Sequence, residues 1–305
     1  MAFLEESLSI WRAQPTDTTL QQAQCQFTQG WIMTINNNRE QGLALMGKCC
    51  DTFQQLGNFW WQAWATNFIS IREQQGEDAQ AVRAILLKET MLWRKTGDRH
   101  SEAIPIIDWG QYALNHGNFV EAQTYLLRSK TIYEEFGPTG WMTQITRDLG
   151  QAARALQEYD QAEYYYQKCE QLIDAGGWDG PLYPIQRGRG FIALHRDDDQ
   201  QAEAFFETAF KLGQKTTRRI LWIVCYAALH TIRNQLDKAA QLFGAYAAQL
   251  VNCNVPISPV DQLDIDYFLN LCQAKLEKPA FEQAWNIGHA LTYEQVLELV
   301  FPSSF

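Results

Sequence analysis

Apolar residues recur along this chain with the spacing of helices, and the whole pattern returns to itself every forty residues. Gly30, Ser70, Gly110, Gly150 and Gly190 stand at that interval, each small and each inside a helical stretch. Gly57, Gly97, Gly137 and Gly177 form a second ladder, and Phe53, Trp93, Tyr133 and Ile173 a third, apolar one. Ala122, Ala162 and Ala202 form a fourth, which Val82 and Gly42 continue towards the N-terminus. A fixed period of this length belongs to helix pairs stacked in a row, each pair burying its apolar face on the next.

The ladders place the elements. First helices are expected at 18–36, 59–76, 99–116, 139–156 and 179–196, and second helices at 39–56, 79–96, 119–136, 160–175 and 200–214. A sixth, less regular pair follows. Leu56-Gly57-Asn58, Thr96-Gly97-Asp98, Phe136-Gly137-Pro138 and Gly176-Gly177-Trp178 close successive pairs. Glycine there supplies the left-handed residue that ends a helix, and Asp98 and Pro138 suit the next start. A glycine inside a helix costs about 1 kcal/mol relative to alanine. Repeating that cost at one register implies a gain elsewhere, which we expect to be close approach of the second helix.

Three segments result. Residues 1–17 carry Leu4, Leu8 and Trp11 on one helical face and fall in the register of a second helix whose first is missing. This half-repeat suggests a chain cut from a longer protein, or a helix that packs on a partner. Residues 18–251 hold the repeats. Residues 252–305 form a helical C-terminal cap. In it Ser258-Pro259 starts one helix, Pro279 another, and Thr292 with Gln295 makes a capping box for the last. The fold expected is all-α, a right-handed solenoid of helix pairs closed by that cap.

Composition narrows the function. The 305 residues carry a net charge of −10 without a Lys/Arg cluster, which argues against direct nucleic-acid binding and against an anionic membrane surface. No run of eighteen apolar residues occurs, so no membrane span is expected. Seven cysteines without CxxC spacing read as reduced, buried thiols of a cytoplasmic protein, the adjacent Cys49 and Cys50 included.

Candidate chemistry is sparse. Asp261, Asp264 and Asp266 could suggest a metal, but a calcium loop needs a glycine turn and a distal Glu. The charge preference of a helix start accounts for Asp261 without an ion. His195-Arg196-Asp197 mimics a kinase triplet but lacks the companion motifs. No nucleophile, acid–base or metal constellation emerges, so neither enzyme activity, a metal nor a cofactor is expected. Trp60, Trp61 and Trp64 cluster at one helix start, where adjacent Trp60 and Trp61 point in different directions and one is expected to be partly exposed.

Two-helix units with small residues at these registers resemble tetratricopeptide repeats, lengthened from their usual 34 residues to forty. The variant resembles the C-terminal repeat region of bacterial STAND-type signalling ATPases, including maltose-regulator-like and LuxR-type transcription regulators. The tail carries the likeness further, in Asp237 to Tyr246, Val255-Pro256, Ala280-Phe281 with Ala284-Trp285, and Gly288 to Gln295. Two features of those regulators are missing: there is no GxxxxGK[S/T] loop, and no helix-turn-helix follows the tail. The resemblance implies a non-catalytic sensor that works with a nucleotide-binding module outside this chain. It also implies that first helices line a concave groove, which puts Trp64, Asn67, Gln111, Gln144, Arg147, Gln151, Arg154 and Arg187 towards it. Arg147 and Arg187 lie one repeat apart, and two guanidiniums suit a carboxylate or phosphate. Arg189 and Asp148 would complete the patch. Equally, the arginines could pair with Asp108, Asp148 or other groove carboxylates and serve the fold. The partner expected is a protein, a peptide or a small-molecule inducer, and the alternative function is a free-standing protein-interaction adaptor.

Overall fold

The computed structural model describes residues 18–36, 38–73, 79–137, 140–176, 182–213, 220–253 and 257–301. The half-repeat with Leu4, Leu8 and Trp11 lies outside the described residues, as do Gly177, Trp178 and Val255-Pro256. Among the described residues all regular structure is helical. Two compact units are formed, one from Met1–Tyr112 with Thr131–Phe136, the other from Ala113–Lys130 with Gly137–Phe305.

The first unit contains α1 (Thr19–Ile35), α2 (Arg39–Gln55), α3 (Phe59–Glu73), α4 (Ala79–Thr96), α5 (Arg99–Glu102) and most of α6 (Ile104–Asn115). Helix α1 packs on α2, α2 on α3, and α3 on α4. The single helix expected at 99–116 is divided at Ala103. Pro105 explains this, since it has no N–H to continue the ladder and its ring crowds the preceding turn. Asp98 caps α5, its side chain accepting from the His100 and Ser101 amides.

The second unit begins with the end of α6 and most of α7 (Phe119–Glu134). It continues through α8 (Gly140–Ala155), α9 (Tyr159–Asp174), α10 (Tyr183–His195), α11 (Asp199–Gly213), α12 (Leu221–Ile232) and α13 (Leu236–Cys253). It ends in α14 (Pro259–Lys275), α15 (Lys278–His289) and α16 (Tyr293–Val300). Helices α8 and α9, α10 and α11, and α12 and α13 pack as successive pairs. Gly57, Gly97 and Gly137 all take positive φ, as the turn ladder requires; where the last of these turns falls, Gly176 does so.

The small-residue ladder has a physical partner. An added Cβ at Gly30 would lie 2.9 Å from Met46 Cγ, and one at Gly150 would lie 2.5 Å from the Tyr166 ring. At Gly190 it would strike the Phe206 ring. Met46, Leu86, Leu126, Tyr166 and Phe206 are themselves forty residues apart and buried. Gly30, Gly150 and Gly190 are thus each a slot for one large side chain of the second helix. In α1 and α2 the backbones also approach, with Gly42 against the Gly30 carbonyl. Close approach is therefore only part of the gain. The rest is a large-into-small fit between the two helices of a pair.

The cap is built from α14 to α16. Ser258 caps α14 by accepting from the Asp261 amide at 3.1 Å, with Pro259 as the first helical residue. Thr292 and Gln295 form the capping box of α16. Gly288 of α15 lies against the Gln241 backbone, and Gly244 of α13 against the Trp285 backbone, so these helices cross in direct main-chain contact. Helix α14 takes another course. It packs on α12 and α13 but also reaches back to α8.

Candidate functional site

In the second unit the first helices α8, α10 and α12 present a face, and α14 is seated on it. Its buried residues are Val260, Asp261, Asp264, Ile265, Phe268 and Cys272. Two carboxylates thus stand within the apolar stripe of an amphipathic helix. Isolated charges are costly in such a place and require partners. Arg154 of α8 and Arg187 of α10 supply them. Arg154 Nη2 donates to Asp261 Oδ1 at 3.0 Å, and Arg187 Nη2 to Asp261 Oδ2 at 2.6 Å. Arg154 Nη1 pairs with Asp264, whose other oxygen lies 3.0 Å from His195 Nε2. His195 stacks on Tyr159 at 5.1 Å, and Phe268 on Phe191 at 6.0 Å. Val260 completes the contact among Ala113, Leu114 and Ala152.

The four charged groups at the centre are 3–6% exposed. Burial pushes the Asp261 carboxyl up, but Arg187 and then Arg154 outweigh it and hold its pKa below the ordinary value. Burial disfavours the Arg154 cation, while Asp264 and Asp261 hold its pKa above the ordinary value. Asp261 raises that of Arg187 in the same way. The pairing is incomplete on the arginine side. Arg187 Nε and Nη1 are buried with no hydrogen-bond partner among the described residues. Arg187 also lines a cleft of about 350 Å³, part of it open solvent, with Tyr183, Phe206, Phe210 and Trp222.

The groove residues expected from the sequence have separate surroundings. Arg154 and Arg187 lie beneath α14 and share Asp261. Arg147 instead pairs with its neighbour Asp148, Nε to Oδ1 at 2.8 Å. Gln144, Arg147 and Gln151 are half-buried along one side of α8. Arg189 engages Glu163 and Glu170. In the first unit Asn67 is buried, and its amide donates to Glu89 Oε1 at 2.9 Å and to Asp108 Oδ2 at 2.6 Å. Burial, then the neighbouring Glu89, raises the Asp108 pKa well above its ordinary value. Trp64 sits in an aromatic cluster, 5.9 Å from Trp60 and 5.4 Å from Trp93, and Trp60 is 42% exposed. Gln111 is half-buried on α6. Cys49 and Cys50 are buried, and burial, with Cys50 adjacent, pushes the Cys49 thiol up to about 11, so it is poorly disposed to react.

The sequence reading missed Asp261 and Asp264 as the partners of the groove arginines. The signal was present in their spacing. Val260, Asp261, Asp264, Ile265 and Phe268 follow at i, i+1, i+4, i+5 and i+8, which puts both carboxylates on the apolar face. Chemically the arrangement binds and positions a helix through buried ion pairs.

No protein-family model matches the sequence, and no curated protein matches it. Solved structures do resemble it. One is a STAND (signal transduction ATPase with numerous domains) protein with a tetratricopeptide repeat sensor from Pyrococcus horikoshii, with a TM-score of 0.57 and 14% identity over 93% of this chain. The match spans 42% of that protein, so the chain corresponds to less than half its length. Another is PilF of Pseudomonas aeruginosa, with a TM-score of 0.51 and 16% identity over 81% of this chain and 96% of that one. The likeness shows the fold, a TPR-like helical solenoid. Folds of this kind are in general scaffolds for protein interaction. Among the described residues no helix is long and apolar enough to cross a membrane.

Proposed function

We propose that this chain is the non-catalytic, ligand- or partner-sensing region of a bacterial STAND-type signalling or transcription-regulatory protein. It works with a nucleotide-binding module outside the chain. The observation that carries the reading is the likeness of 93% of the chain to a STAND protein that bears a tetratricopeptide repeat sensor. The forty-residue period and the tail motifs point the same way. The sensing surface in the second unit includes Gln144, Arg147 and Gln151, which α8 leaves partly open beside Arg154 and Arg187. A separate candidate surface in the first unit includes Trp64, Asn67 and Gln111.

Cross-linking mass spectrometry on the tagged chain in a lysate of its native host tests this. We expect cross-links to a segment that carries a P-loop nucleotide-binding motif, in the same polypeptide or another. Cross-links confined to proteins without such a motif would replace the STAND reading by the adaptor reading. The surface assignment is tested apart from this, by native mass spectrometry of Arg147→Ala, which should lose a co-purifying ligand or partner and keep its helical content.

A further inference from the structure

The second unit holds a ready-made recognition site for a helix, and the helix now in it is its own. We propose that the face formed by α8, α10 and α12 is a docking groove for an acidic amphipathic helix of a partner protein, and that α14 is a resident stand-in which the partner displaces. This rests on the scaffold reading above and adds the chemistry of the partner. The recognition elements are Arg154, Arg187 and His195 for two carboxylates one turn apart, and Phe191 for an aromatic ring one turn further on.

Three observations support a stand-in over a permanent brace. First, α14 leaves the groove imperfectly satisfied, with Arg187 Nε and Nη1 buried and without acceptors among the described residues. A guanidinium has five N–H donors, so a partner with one more carboxylate oxygen in reach would bind where α14 leaves donors open. Second, the rest of the cap is anchored independently. Helix α15 crosses α13 in main-chain contact at Gly244 and Gly288, and Tyr293 of α16 accepts from Trp222 Nε1 at 3.1 Å. Leaving of α14 does not require those contacts to break. Third, α14 meets the groove through two carboxylates that another acidic helix reproduces. Beyond the stripe it turns to the groove, Leu263 and Tyr267 remain exposed, at 46% and 51%.

Hydrogen–deuterium exchange on the intact wild-type chain tests this, alone and with an excess of a synthetic peptide of residues 257–276. We expect the α14 amides to exchange at least about tenfold faster than those of α8, α10 and α12, as a helix that opens separately does. Added peptide should speed α14 exchange further and leave α8 and α10 protected, since the groove stays filled. Fluorescein-labelled peptide should bind Asp261→Asn at least about tenfold more tightly than wild type, because the resident helix is then loosened. Protection of α14 equal to that of its surroundings, or an exchange pattern unchanged by peptide, overturns the proposal. Either result leaves the STAND reading untouched, because that one is decided by cross-linking to a P-loop segment.

Discussion

Arg154 and Asp264, 110 residues apart in the chain, form a buried ion pair that ties the first helix of one repeat pair to the cap helix α14. Asp261 extends it to Arg187. Removing one partner of such a buried pair leaves the other charge without compensation, at a cost of about 3–5 kcal/mol. Asp261→Ala, which strands Arg187, should therefore lower the urea midpoint of the second unit sharply. Arg187→Met with Asp261→Leu should restore most of the loss. A double variant as unstable as the single one would count against the pairing.

The exposed network around Arg233 offers a contrast. Arg233 binds Asp199 and Glu203, each at 2.7 Å, on partly solvated side chains. Solvent and salt screen such contacts, so Arg233→Ala should cost no more than about 1 kcal/mol. That loss should fade in 1 M NaCl, whereas the loss in Asp261→Ala should persist. Denaturation at two salt concentrations separates them.

Acid and base should act oppositely on two carboxylates. Asp261 has a folded-state pKa below its ordinary 3.8, so its contribution is present above that value and is lost as pH falls through the folded one. Asp108 has a folded-state pKa well above 3.8, so its contribution is full below 3.8 and is lost as pH rises through the folded one. Asp108→Asn should raise the melting temperature at pH 7 and change it little near pH 4. Asp261→Asn should lower it at pH 7. A destabilised Asp108→Asn at pH 7 would refute the assignment.

Buried His230 adds an acid-sensitive element. Burial, with Lys238 nearby, lowers its pKa from 6.5 to about 4, and Nδ1 lies 2.5 Å from Gln235 Oε1. The neutral ring's contribution is present above pH 6.5 and is lost as pH falls towards 4. NMR titration of the ring should show it neutral at pH 5.5. A midpoint near 6.5 would contradict this burial.

Glycines should differ by what faces them. At Gly150 the neighbour is the buried Tyr166 ring, a side chain and not backbone, and overpacking there should cost about 1–3 kcal/mol. At Gly288 the neighbour is the Gln241 backbone. Gly288→Ala should accordingly be worse than Gly150→Ala, with the loss concentrated in amide protection of α15.

The helix pairs were legible because they repeat. Gly57, Gly97 and Gly137 mark turns by a local conformational need, and the matching ladder of Met46, Leu86, Leu126, Tyr166 and Phe206 was there to be read against the small residues. Ser258, Thr292 and Gln295 are equally local: a cap is decided within one turn of helix. The break at Pro105 was also written in the chain, but the period masked it.

The site was less legible. Trp64, Asn67, Arg154 and Arg187 could be assigned to first helices by register, but register says nothing of what rests on them. The sequence by itself determined the repeat, the pairing of neighbours and the helix caps at Ser258 and Thr292, because these depend on contacts within a few tens of residues. Only the tertiary structure decided that α14 turns back to α8, that Asp261 and Asp264 meet Arg154 and Arg187, and that Asn67 serves a buried carboxylate pair. Those contacts join distant parts of the chain, and they are selected because a buried charge left without its partner is costly.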